Sequence, residues 1–254
     1  MFDNRPTRNQ FGANNTRDTE TFSDQFVEDR TKVHEYNNDF DEYNVGNYTI
    51  TTSNGGAATA IAGDGGILQL TTGAASTNFT ELQNIRATYL YQLGFRVFSE
   101  FLFSVDSALA NLVVGMLNTT ATPFTGASQT DGVYLTTAGT TAVNVNLAVG
   151  GVITTQAAVA LLNPGLANQI TFKTVWDGAI YSALTGRVFW ELSGAGIVTP
   201  VRGEFLPVPV NYPGATLVNT TVAVQASTAA VRTLNLDLFS VIKDRQNPNA
   251  TPVF

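Results

Sequence analysis

Residues 95–105 read Phe95-Arg-Val-Phe-Ser-Glu-Phe-Leu-Phe-Ser-Val105. Phe95, Val97, Phe101 and Phe103 recur at every second position and share one face, while Phe98 and Leu102 fall on the other. A strand that is apolar on both faces is covered on both, so this one belongs in the middle of a sheet or beneath another chain.

The period of two continues on either side. Val143, Val145 and Leu147 alternate with Asn144 and Asn146, and Leu234, Leu236 and Leu238 alternate with Asn235 and Asp237. Ile170, Phe172 and Trp176 share a face opposite Thr171 and Lys173. These are the marks of half-buried antiparallel strands, with one face in a core and one in water. Turn signals separate them: Gly150-Gly151, Asp177-Gly178 and Thr185-Gly186. About a dozen such strands follow Asn47, with no helical pattern among them. The stretch around Pro207, Pro209 and Pro213 cannot form a central strand and reads as a crossing loop. Many short antiparallel strands with Gly-rich turns predict an all-β sandwich. A span of about 200 residues exceeds an immunoglobulin-type domain of about 100 and suits a large antiparallel jelly roll.

Ahead of the strands the composition changes. Residues 1–45 hold 5 basic and 10 acidic residues, a net of 5 − 10 = −5, in an Asn-rich segment poor in aliphatics. Such a segment buries too little surface to fold alone. The chain therefore divides into an extended N-terminal arm over 1–45, a sandwich over 46–245 and a loose tail over 246–254. Within the arm, residues 19–37 place Phe22, Phe26 and Val33 near one face at helical spacing, with Asp18 as N-cap, which is the pattern of a short helix. Phe2, Phe11, Phe22 and Phe26 are the candidate anchors by which the arm would hold a neighbouring subunit.

Charged residues make up only 13% of the 254-residue chain, against roughly 25% in ordinary soluble proteins, so Thr, Asn, Ser, Gln and Gly cover its surface. A polar but weakly charged surface suits a protein packed against copies of itself or against neighbours. The net charge of −7 disfavours nucleic acid and anionic membrane as partners. No run of about 18 apolar residues is present, and the opening residues lack the apolar core of a secretory signal. Assembly in the cytosol is the expectation.

Candidate chemistry is sparse. The chain has no cysteine, which excludes thiolate catalysis and Cys-based metal sites. The single histidine, His34, falls in the arm, so a Ser-His-Asp arrangement would require the arm to fold into a site. Two facing carboxylates would suit a glycosidase. No two acids of the sandwich stand at i, i+2 on a strand, the spacing that would aim both at one cleft. Asp177 reads as a turn residue, Asp106 as a strand terminator, and Gly63-Asp64-Gly65-Gly66 as a turn with too few acids for calcium. No phosphate-loop motif is present, and no metal or cofactor is expected. Tyr89, Tyr91, Tyr134 and Tyr181 are candidates for stacking on a sugar, with a place at a rim or interface as the plainer reading.

Over about residues 40–245 the chain resembles the concanavalin-like jelly rolls of tailed-phage structural proteins. The motifs that carry the likeness are DFDEYNVGNYTITT at 39–52, GDGGILQLTTGA at 63–74 and FRVFSEFLFSVDSALANLVVGMLNT at 95–119. TDGVYLTT at 130–137 and the closing VAVQASTAAVRTLNLDLFSVIKDR at 222–245 complete it. The Glu-x-Asp-x-x-Glu strand of the catalytic branch of that superfamily has no counterpart here, and legume-lectin metal ligands are not recognisable. The resemblance implies a non-enzymatic capsid decoration, cement or head-fibre protein on the virion exterior. Its partners would be itself, as a homotrimer, and the major capsid protein. A carbohydrate- or receptor-binding module of a tail fibre is the alternative.

Overall fold

The computed structural model describes residues 32–41, 43–61, 66–89, 95–106, 110–124, 128–138, 141–161, 167–177, 186–208 and 217–245. Phe2, Phe11, Phe22 and Phe26 lie outside them, as do Asp64, Tyr91 and Tyr181. Fifteen strands run through the described residues, with one 3-10 turn at Val45–Asn47. They are β1 (Lys32–Asn38), β2 (Tyr48–Thr52), β3 (Ala57–Ile61), β4 (Ile67–Thr71) and β5 (Phe79–Tyr89). The middle of the chain supplies β6 (Phe95–Asp106), β7 (Ala110–Asn118), β8 (Gly132–Ala138), β9 (Ala142–Val149) and β10 (Val152–Ala160). The last five are β11 (Ala167–Asp177), β12 (Gly186–Ser193), β13 (Val201–Val208), β14 (Val218–Ala226) and β15 (Thr233–Arg245).

Two antiparallel sheets result. One has seven strands in the order β10-β9-β8-β7-β14-β5-β2. The other has eight, in the order β13-β12-β11-β6-β15-β4-β3, with β1 added alongside β15. Every sheet neighbour is antiparallel, so the chain is an all-β sandwich, as its period-two patterning predicts.

The inner faces meet in one continuous core. Val97, Phe101 and Phe103 of β6 and Ile170, Phe172 and Trp176 of β11 face Leu112, Val114 and Met116 of β7 and Val143 and Val145 of β9. β6 sits between β11 and β15, and its outward Phe98 and Leu102 are half-buried, as a doubly apolar central strand requires.

Three expectations change. The alternation of Leu234, Leu236 and Leu238 breaks at a bulge between Leu236 and Leu238, after which Phe239 and Val241 take over the core and Leu238 turns outward. One inserted residue exchanges the faces of all that follow. Pro207 lies within β13 rather than in a loop; β13 is an edge strand, where a missing N–H is tolerated. Finally, residues 32–38 form a strand of the sandwich, not the end of a helix or part of an arm. Their polar composition, with Lys32 and Glu35 among Asn and His, is that of an edge strand, where charge keeps an open ladder from recruiting other chains.

β1 is fixed by aromatic contact. Tyr36 stacks on Phe239 at 5.5 Å, and Phe40 packs on the same ring at 5.9 Å. Tyr48 meets Phe239 edge-on at 6.5 Å, and its hydroxyl accepts a hydrogen bond from the Asn38 amide. Phe239→Ala removes the ring on which all three rest. It should lower the unfolding free energy by about 3–5 kcal/mol in urea titration, with β1 the first segment to lose hydrogen-exchange protection.

Candidate functional site

β10 and β13 are the edge strands on the same side of the two sheets. Side chains, not a ladder, join them. Trp190 of β12 faces inward and is buried. Its indole Nε1 donates to Oε1 of Gln156 on β10 at 2.6 Å. Nε2 of Gln156 donates in turn to the carbonyl oxygen of Glu204 on β13, also at 2.6 Å. One amide thus ties the two edges together. The indole reaches this position because Gly203 lies opposite Trp190 in the ladder; a Cβ there would fall 2.3 Å from Cζ2 of the ring. Further along, the chain makes a second tie, an antiparallel bridge between Leu161 and Ile197.

Around these ties opens a cleft of about 520 Å³. Trp190, Val159, Ala160 and Val201 supply its apolar lining, and Gln156, Thr199, Arg202 and Glu204 its polar one. The charges are matched: the Arg202 guanidinium donates to Oε2 of Glu191, and Arg187 lies 3.6 Å from the Glu204 carboxylate. With its one carboxylate, Glu204, and its one cation, Arg202, each in an ion pair and no histidine among the described residues of its lining, the cleft is equipped to hold a neutral polar ligand against an apolar floor. Among the described residues, no three His, Asp or Glu side chains gather as a metal-ligand set.

The outer face of the seven-stranded sheet is organised differently. The segment after β7 folds back over it and forms a small second core of Val113, Leu117, Ala121, Tyr134, Ala148 and Ala223. Two side chains of β5 hold this flap: Gln83 donates to the Ala121 carbonyl oxygen, and Glu81 accepts the Phe124 backbone N–H at 2.7 Å. Glu81 is 3% exposed, and burial raises its pKa above the ordinary carboxylate value while the Phe124 N–H partly offsets that rise. Beside the flap, Asn146 donates to Thr136 at 3.0 Å and accepts from Thr155 at 2.7 Å. Asn146, expected in water, is therefore buried in a hydroxyl–amide row.

Of the four tyrosines considered for stacking on a sugar, Tyr91 and Tyr181 lie outside the described residues, and the other two are at neither a rim nor an exposed face. Tyr89 and Tyr134 are both buried, one facing the main core and the other under the flap, and burial pushes the Tyr134 hydroxyl up to about 12. His34 stands in β1 opposite Lys243. Asp177 ends β11 and lies 3.6 Å from Arg96. The Gly150-Gly151 turn is where the sequence places it, with positive φ at both residues, and Asp131 accepts the Gly150 N–H at 3.0 Å. Sequence reasoning missed Gln156 and Trp190. The signal was Gly203, a glycine inside a strand pattern, which marks close approach of another group.

No family model and no curated protein matches the sequence. Solved structures match over most of the chain. Lectin II from Ulex europaeus, also solved as a galactose complex, superposes with a TM-score of 0.58 at 13% identity, covering 84% of this chain and 99% of that one. The carbohydrate recognition domain of Emp46p gives 0.51 at 10% identity, over 80% and 94%. A protein of unknown function from Shewanella oneidensis MR-1 gives 0.53 at 14% identity, over 86% and 89%.

The fold is a concanavalin-like β-sandwich. Within this concanavalin-like frame, the cleft between β10 and β13 and the flap over the seven-stranded sheet are features held by polar side chains that reach across strands.

Each feature has its own test. Gln156→Ala leaves the Trp190 N–H without its partner and should cost about 1–3 kcal/mol. Trp190 emission should move to the red while the deeply buried Trp176 stays blue. For Glu81 the folded pKa lies above the unfolded one, so its contribution is fully favourable below the unfolded value and is lost as pH rises through the folded value. Glu81→Gln keeps an acceptor for Phe124. It should therefore be more stable than the parent near neutrality, with the gap closing on acidification in urea titrations between about pH 4 and pH 8.

Proposed function

We propose that this protein is a non-catalytic carbohydrate-binding module whose ligand is a neutral glycan held in the cleft between β10 and β13. The observation that carries this reading is the composition of the cleft. The edge of the largely buried Trp190 indole, with Val159 and Val201, gives the cleft an apolar floor, and the Gln156 amide is fixed in orientation by its two hydrogen bonds. Arg202, Glu204 and Thr199 present donors and acceptors toward the hydroxyls. Pairing of both charges leaves hydrogen-bonding capacity without net field, which favours uncharged polyols over acidic or basic ligands. Support also comes from the neighbouring lectins, one of them a complex with galactose and another with methyl-α-D-galactose.

A second reading places the module on a larger assembly, as a decoration or fibre protein on the exterior of a virion. The 13% charged content and the junction of residues 1–31 to the sandwich through edge strand β1 favour it. The two readings are compatible, since a particle-borne sandwich with a glycan cleft would present it to a host surface.

A neutral-glycan array followed by calorimetry should return a hexose-containing ligand that shifts Trp190 emission. Arg202→Ala and Glu204→Gln should each weaken it about tenfold, the equivalent of one hydrogen bond at about 1.4 kcal/mol. An array without hits would end the glycan reading. Binding untouched by both substitutions would move the ligand away from this cleft.

A further inference from the structure

The sequence contains a single Asn-Gly dipeptide, Asn54-Gly55. It stands in the turn that carries the chain from β2, at one edge of the seven-stranded sheet, to β3, at one edge of the eight-stranded sheet. The turn runs from Ser53 to Gly56 and is closed by the Gly56 N–H, which donates to the Ser53 carbonyl oxygen at 2.8 Å. Gly55 has φ +83° while Asn54 does not share the positive φ, the pattern of a type II turn. The closing bond uses neither the Gly55 N–H nor the Asn54 side chain. Among the described residues no hydrogen bond involves either group, and both residues are exposed.

These two groups are the reactants of an imide closure. The Gly55 nitrogen gives up its proton and attacks Cγ of Asn54; the N–Cγ bond forms, the Cγ–Nδ2 bond breaks, and ammonia leaves with the proton. Water then opens the succinimide at either carbonyl and yields aspartate, or isoaspartate, in which the main chain runs through Cβ and Cγ. A side chain on the following residue crowds the attacking nitrogen, whereas glycine leaves it open and free to turn. Every other asparagine of the chain precedes a residue with a side chain, and Asn38, Asn44, Asn78, Asn118 and Asn146 are also held by hydrogen bonds. Asp131-Gly132 could close the same ring with loss of water, but Asp131 is 5% exposed and its carboxylate holds the Gly150 N–H.

We propose that Asn54 is a site of spontaneous deamidation, and that its isoaspartyl product opens the turn between β2 and β3. The turn has no room for another backbone carbon. The Asn54 carbonyl oxygen accepts from the Asn78 amide at 3.1 Å, and a Cβ on Gly73 would fall 1.7 Å from that same oxygen. On the other side of the turn, a Cβ on Gly56 would fall 2.5 Å from Oγ1 of Thr80. An isoaspartyl link lengthens the path from Ser53 to Gly56 and adds a carboxylate, so the closing bond and the fit against Gly73 fail together. β3 then loses the anchor that sets its register. It pairs only with β4 among the described strands, and Ala57, Thr59, Ala60 and Ile61 are exposed, so this short strand has little else to hold it.

The test ages the full chain at mildly alkaline pH and physiological temperature beside an Asn54→Gln variant, in which the closure would need a larger, slower-forming ring. In the parent, peptide mass mapping should find acid in place of amide at residue 54 before any other asparagine, and an isoaspartate-directed carboxyl methyltransferase should label the product. Hydrogen exchange at residues 57–61 should quicken in the aged parent and stay unchanged in aged Asn54→Gln, while β6 and β11 stay protected in both. Fresh Asn54→Asp carries the new charge without the longer main chain and should keep β3 protected. An intact Asn54 while another asparagine converts would remove the site. Equal loss of β3 protection in both aged proteins, or its loss in fresh Asn54→Asp, would overturn the effect assigned to the isoaspartyl link.

Discussion

The molecule depends on one dry layer of large side chains between two sheets. Phe101, Phe103, Phe172, Trp176 and Phe239 come from the eight-stranded sheet, and Leu82, Leu112, Val114, Met116 and Val145 meet them from the seven-stranded one. A strand buries only alternate residues, so each sheet gains its stability from the partner that covers it. With a charged content of 13% and no disulfide, little besides this layer is present to hold the chain in shape. Packing across the layer fixes which face of every strand is inward, and so dictates which residues remain for binding.

A two-layer sandwich leaves open edges, and the cleft and the flap lie where the layer gives out. On one side the edges β10 and β13 are too far apart for a ladder, and Gln156 spans them with both ends of its amide. The space it leaves is the cleft. On the outer face of the seven-stranded sheet, where the main core cannot reach, a flap forms a second core and takes the carboxylate of Glu81 out of water to fix the Phe124 backbone. Both sites place a polar group in an apolar setting only where a specific partner meets it, as the cost of burying an unpaired group demands.

How much of this could be read from residues alone follows the physics of each signal. Phe95 to Val105 announced a central strand because side-chain alternation is local, and Ile170, Phe172 and Trp176 did so for the same reason. The slip after Leu236 was invisible, because a bulge is decided by what the partner strands require. β1 was hidden by its polar composition, which resembles the segment before it more than the sandwich, whereas Tyr36 on Phe239 joins it to the sandwich. Tyr89 and Tyr134 looked available for stacking, since a ring on a strand does not reveal whether a flap or a second sheet covers it. The cleft joins residues from Gln156 to Glu204, and only the pairing order of the sheets brings them together.

β15 is shared end to end. Its first half pairs with β4 and its second half with β1, on the same side. Among the described residues β1 pairs with no other strand; its ladder to β15, the ring of Tyr36 on Phe239 and the side-chain bonds of Asn37 and Asn38 to Ser240 and Tyr48 hold it. Such a strand can peel away as a unit at a fraction of the global unfolding free energy. Release of β1 would bare the second half of the β15 ladder and one face of the Phe239 ring, so this seam is where the sandwich would first admit water.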